Sequence, residues 1–219
     1  MITGDPRKDA YAEDPFICTR FGQFHINKPE FNVKDIAHAL SQICRYTGHT
    51  KHFYSVAEHS LLVAGLMLEV VGGDPFEGLL HDAAEAYLSD IATPWKHLLP
   101  DYEAVSKRIE VPLRAFYGIP ERKSPECKQA DQYALFIEAY WLMEDRGDSY
   151  HDPLRLRPDA LRLASGEHPR AAGRKWKAHG LDPYTASQLF LGAFKNYRTQ
   201  IEIPEKEIQI ADLTALPKS

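Results

Sequence analysis

From Val33 onward the apolar residues return every three or four positions, the spacing of one face of a helix. Val33, Ile36, Ala37, Leu40 and Ile43 make the first stripe, which Gly48 interrupts. Ser55-Val56-Ala57-Glu58 reads as a capping box, in which the Ser and Glu side chains satisfy each other's free amides. It opens a helix to about Val71, closed by Gly72-Gly73. Asp74-Pro75 supplies an N-cap and a first-turn proline for a helix carrying Phe76, Leu79, Leu80, Ala83, Ala84 and Tyr87. Asp101 to Tyr117 predicts another helix, ended by Gly118, which Pro112 should bend or split. Ser124-Pro125 caps a long one to about Arg146, ended by Gly147. Residues 147–170, rich in Gly, Pro, Asp and Arg, read as a long connection with one short helix. Asp182-Pro183 opens the last helix, with Leu189, Phe190, Ala193, Phe194 and Tyr197 on one face. Before all of this, Phe16 to Ile26 alternates apolar with polar around Gly22, as a short extended segment or a hairpin does. Residues 1–15 read as loose, and 201–219 as a tail without a period. The pattern predicts a mainly α single domain, its helical core followed by a helical extension and tail over 147–219.

Composition narrows the class. Of 219 residues, 44% are hydrophobic and 26% charged, the balance of a soluble globular chain. No apolar run reaches the roughly 18 residues of a membrane span, and the N-terminus lacks a signal-peptide core. Cys18, Cys44 and Cys127 are odd in number and form no C-x-x-C pair, which speaks against a disulfide framework and a zinc ribbon and for a reducing cytoplasm. The net charge of −5 gives no general attraction for nucleic acid, so an anionic ligand needs a local basic pocket.

Ten histidines are the compositional oddity, and three positions give them meaning. His81-Asp82 sits among Leu79, Leu80, Ala83 and Ala84, where two polar residues need partners. His59 lies in a similar setting on the preceding helix, and Asp131 on the later long one. Together they can make a mixed nitrogen and oxygen site for a divalent transition metal, with Zn, Co, Mn, Fe and Ni all compatible. Two His and two Asp favour an open catalytic site over a closed structural one, which usually uses thiolates. Glu85 follows His81 and Asp82 by four and three residues and shares their helix face.

This ordered set resembles the HD-domain phosphohydrolase superfamily, an all-α fold whose H…HD…D residues bind a catalytic metal. The surrounding stretches Asp35-Ile36-Ala37-His38-Ala39-Leu40-Ser41, Arg45-Tyr46-Thr47-Gly48-His49, Tyr54 to Ser60, His81 to Asp90 and Thr93-Pro94-Trp95-Lys96 look like its deoxynucleotide-acting branch. That branch includes bacterial 5′-deoxynucleotidases and phage dATP triphosphohydrolases. The resemblance implies His59, His81, Asp82 and Asp131 as metal ligands, Glu85 as general base, and Asp90 as a second acid positioning water or the leaving group. It implies Arg45, Lys96 and Lys128 at phosphates or sugar, Tyr46 beside the nucleoside, and Pro94 near the base edge. Ser89 stands where relatives often carry Gly. The activity implied is hydrolysis of a deoxynucleotide 5′-phosphate, with dATP to deoxyadenosine and triphosphate as the leading reading. A 5′-deoxynucleotidase and a catalytically silent nucleotide-binding protein are the alternatives. The resemblance also implies a homo-oligomer, in the host cytoplasm if the chain is phage-encoded.

Overall fold

The computed structural model describes residues 14–171 and 173–198. The readings made for residues 1–13 and for the 201–219 tail lie outside the described residues. The fold is mostly helical, with one two-stranded antiparallel sheet near the N-terminus. Strands β1 (Phe16–Cys18) and β2 (Gln23–His25) pair Phe16 with His25 and Cys18 with Gln23, so the alternation around Gly22 is a hairpin.

Helix α1 (Val33–Gln42) is capped by Asn32, whose side chain accepts from the Lys34 amide. It ends well before Gly48, because Ile43 turns extended and the chain pairs with the segment entering the next helix: Val56 N–H donates to Ile43 O, and Arg45 N–H to Tyr54 O. Helix α2 (Val56–Leu66) continues into a wider turn over Met67–Val71 and stops at Gly72, φ 96°. Ser55 caps it, accepting from Glu58 N–H at 3.2 Å. The expected reciprocal bond from Glu58 is not made. Its carboxylate instead accepts from the backbone amides of His179, Gly180 and Leu181 at 2.6, 3.2 and 2.7 Å, and so ties down the chain that enters the last helix.

Asp74 caps α3 (Pro75–Leu80). The pattern predicts one helix through Tyr87, but α3 stops at Leu80 and a short α4 (Glu85–Leu88) follows. Between them the amide bonds tighten to three-residue spacing, with Ala83 N–H to Leu80 O and Glu85 N–H to Asp82 O. After α5 (Thr93–Lys96) comes α6 (Pro100–Tyr117), which is continuous through Pro112 instead of splitting, with buried Ile109 and Leu113 holding it to the core on both sides of the proline. Ser124 caps α7 (Pro125–Leu142), which ends short of Arg146 where Met143 turns extended. The connection carries α8 (Arg157–Ser165), and α9 (Pro183–Arg198) closes the described chain.

Helix α2 is the axis. Val56, Ala57 and Ala64 belong to one apolar cluster with Ile36, Leu40, Phe76, Leu79 and Phe190. Leu62, Val63 and Leu66 belong to a second with Phe136, Ile137, Leu163 and Trp176. A helix apolar on all sides is a buried one, so the polar residues on it need internal partners. Helix α9 packs on α1, α2 and α3 through Ala186, Phe190 and Phe194, a four-residue ridge, which leaves Leu189 exposed against expectation. No helix of the described residues is long and apolar enough to cross a membrane.

Candidate metal centre

Two of the expected ligands meet because α2 and α3 approach closely. A Cβ at Gly78 would lie 2.8 Å from Met67 Sδ and 3.0 Å from Ala64 Cα, so only glycine allows this spacing. It sets His59 Nε2 3.2 Å from His81 Nε2, both side chains fully buried. Helix α7 brings Asp131 Oδ1 to 3.2 Å from His59 Nε2 and 3.8 Å from His81 Nε2. The ligand atoms of His59, His81 and Asp131 all lie within 4.8 Å of one another. Asp82 Oδ2 joins through the histidines, 3.0 Å from His81 Nε2 and 3.6 Å from His59 Nε2.

The far nitrogen of each imidazole is committed. His81 Nδ1 is 2.8 Å from Gly78 O and His59 Nδ1 is 2.5 Å from Glu138 Oε1. A carbonyl and a carboxylate can only accept, so both Nδ1 atoms carry a proton and both Nε2 atoms face the centre. Two imidazole Nε2 atoms and two carboxylate oxygens converging in a buried place draw in a cation, either a proton on an imidazole or a metal ion. Bonds of about 2.0–2.1 Å to a tetrahedral metal put donor atoms about 3.3 Å apart, which the 3.2–3.8 Å separations among His59, His81 and Asp131 match. The donor set fits a divalent ion. Protein charge already leans the same way: burial and Arg45 oppose a proton on His59, yet Glu138, Asp131 and Asp82 raise its pKa well above the usual imidazole value.

Glu138 is absent from the sequence-based set and organises one side of the centre. Besides His59 it accepts from Tyr54 Oη at 3.1 Å, Tyr46 Oη at 2.8 Å and Arg45 Nε at 3.1 Å. A fully buried carboxylate inside the apolar run Phe136-Ile137-Glu138-Ala139 was the available signal. Burial raises its pKa, and Arg45 and His59 more than reverse this, so it stays ionised. Arg45 and Tyr46 therefore lie beside the centre through Glu138. Tyr46, expected at the nucleoside, spends its hydroxyl on that carboxylate from a left-handed backbone, φ 56°.

On another side, Glu85 Oε1 accepts from Lys96 Nζ at 3.0 Å, while buried Oε2 has no partner among the described residues. Burial first, then the charges of Asp82 and Asp90, lift the Glu85 pKa to about 8 against the pull of Lys96. Asp90 stands 3.9 Å from Lys96 Nζ. The turn that carries it is strained: Ser89 has φ 72° and ψ 160°, a region that costs a non-glycine residue about 1–3 kcal/mol. Ser89→Gly is expected to relieve that strain, offset by about 0.5–1 kcal/mol of glycine entropy. Its melting temperature should therefore rise, and a fall in thermal unfolding would contradict the strain.

Pro94 and Lys128 are exposed, and Lys128 makes no side-chain hydrogen bond or ion pair among the described residues. The cation at the centre from this part of the chain is Lys123, which the sequence reading passed over. Its Nζ lies 3.0 Å from Asp82 Oδ1 and 3.3 Å from Asp131 Oδ2. Just before a cap serine, it carries no periodic signal that would have marked it.

No family model matches the chain. It is 44% identical over 122 residues to the uncharacterised protein YfdR of Escherichia coli, a match covering 56% of this chain and 67% of that one. It is 32% identical over 163 residues to an uncharacterised protein of Rhodobacter capsulatus, covering 65% of this chain and 82% of the relative.

Proposed function

This chain belongs to the family of Escherichia coli YfdR and its Rhodobacter capsulatus relative, and we propose that it is a metal-dependent phosphohydrolase of the HD type acting on deoxynucleotide 5′-phosphates. The leading substrate is dATP. One observation carries the reading: the Nε2 atoms of His59 and His81 face each other and the carboxylates of Asp82 and Asp131, with an acid of shifted pKa, Glu85, alongside.

His59, His81 and Asp131, with Asp82 beside them, would hold the ion. When bound, it supplies Lewis-acid polarisation of a phosphoryl oxygen and a more acidic water. The chain's own residues supply the rest. Glu85, with Oε2 unpartnered among the described residues, takes the proton from the attacking water. Lys96 holds Oε1 of that carboxylate and leaves Oε2 for the transfer. Arg45 has its Nε fixed on Glu138, and its two terminal nitrogens make no hydrogen bond among the described residues, so they can meet phosphate or sugar oxygens. Water adds to the α-phosphorus, the bond from phosphorus to O5′ breaks, and the proton passes to the departing O5′. Deoxyadenosine and inorganic triphosphate are the products.

A second reading, a 5′-deoxynucleotidase on monophosphates, gains from the position of two lysines. Lys96 is engaged by Glu85 and Lys128 stands apart, so neither is free at the centre for a polyphosphate tail. Chromatography of products from deoxynucleoside and ribonucleoside mono-, di- and triphosphates, with several divalent metals, separates the readings. Deoxyadenosine and intact triphosphate from dATP is the expected result. A strong preference for dAMP selects the monophosphatase, and no hydrolysis of any nucleotide selects the catalytically silent protein.

A further inference from the structure

Lys123 divides each of two carboxylates. Asp82 Oδ2 and Asp131 Oδ1 face the histidines, while Asp82 Oδ1 and Asp131 Oδ2 lie against the lysine ammonium at 3.0 and 3.3 Å. The backbone beneath it is fixed from elsewhere. Ser124 N–H donates to Glu77 Oε1 at 2.9 Å, and the same oxygen accepts from Arg114 Nη2 at 3.0 Å, both side chains being almost wholly buried. Ser124 also caps α7, the helix that carries Asp131. The lysine thus sits on a rigid shoulder of the centre and does not swing from a loose loop.

Exposure gives it a direction. The two histidines are closed to solvent, whereas the Asp82 and Asp131 side chains are 15% and 32% exposed and Lys123 is 27% exposed. These three line the open side of the centre. Charge gives it a task. Arg45 is matched by Glu138 and Lys96 by Glu85. Asp90 stands by Lys96 as well, and Asp82 and Asp131 would turn their charge toward a divalent ion, so Lys123, unlike Arg45 and Lys96, is left at the mouth without a carboxylate of its own. A lysine ammonium is a point-charge partner for phosphate oxygens.

We infer that Lys123 binds the phosphoryl group that the centre attacks, the role that Lys128, exposed one turn from Asp131, does not fill. The inference rests on the metal-centre reading above and assigns a substrate contact within it. Inorganic phosphate titrated calorimetrically into metal-loaded wild type, Lys123→Ala and Lys123→Arg tests it without turnover, alongside elemental analysis of each protein. Lys123→Ala should keep its metal and bind phosphate about 10–100-fold more weakly, the worth of a hydrogen bond between charged groups. Lys123→Arg should recover part of that loss, and in nucleotide assays Lys123→Ala should raise KM more than it lowers kcat. Unchanged phosphate affinity in Lys123→Ala overturns the inference. So does loss of metal from that variant, which would make the lysine a support for the ligands. Weakened phosphate binding in a protein that hydrolyses no nucleotide would support Lys123 while sinking the phosphohydrolase reading; unchanged phosphate binding in an active enzyme would do the reverse.

Discussion

Glu85→Gln is expected to keep its metal and its nucleotide and to lose about 10²–10⁴-fold in turnover, the contribution of a positioned general base. The substitution preserves size and leaves an oxygen for Lys96, which now lies 3.0 Å from Oε1. What it removes is the exchangeable proton site in a pocket where burial and the neighbouring Asp82 and Asp90 hold the acid near 8. Elemental analysis, nucleotide binding and single-turnover rates on one preparation separate loss of chemistry from loss of ligand. Turnover at the wild-type rate would return Glu85 to the role of an ion-pair partner for Lys96.

Arg114→Ala is expected to cost about 3–5 kcal/mol of stability, the range for breaking a buried ion pair by removing one partner. Arg114 and Glu77 are 1% and 2% exposed. The guanidinium joins Glu77 on α3 to the Pro120 carbonyl, and Glu77 also holds the Ser124 amide at the start of α7. Loss of the arginine strands a carboxylate in the interior. Replacing both partners, with Glu77→Gln and Arg114→Met, removes the stranded charge and should cost less than Arg114→Ala alone. Urea unfolding of the three proteins reads this directly, and a single variant as stable as wild type would contradict the account of how α3, α6 and α7 are joined.

The local chemistry of helix starts was legible in the sequence. Ser55, Asp74, Ser124 and Asp182 each accept from an amide two or three residues on, because the donor and the acceptor lie within one turn. The hairpin was legible for a related reason, and so was the need of the His81-Asp82 doublet for partners: alternation around Gly22 and two polar residues in an apolar helix are contrasts within short windows. What required the fold was long-range. Glu58 completes half a capping box on paper, yet its carboxylate goes to amides more than 120 residues away. Glu138 meets His59 across 79 positions and Lys123 meets Asp82 across 41. The break after Leu80 was also hidden, since His81 Nδ1 takes the Gly78 carbonyl while the amides beyond shift to three-residue spacing. Leu189 and Lys128 share the opposite fate. Spacing assigns Leu189 to the inward face and the resemblance assigns Lys128 to a phosphate or sugar, and packing leaves both in solvent.

We propose that His59, His81, Asp82 and Asp131 form a metal centre. Elemental analysis of purified wild type, His81→Ala and Asp131→Ala, followed by calorimetric titration with Mn²⁺, Co²⁺ and Zn²⁺, tests it without reference to substrate. Wild type should take up a divalent ion at the centre, and both variants should lose it while keeping a helical circular dichroism spectrum. Full metal content in both variants, or a wild type that binds none of these ions, would contradict the account.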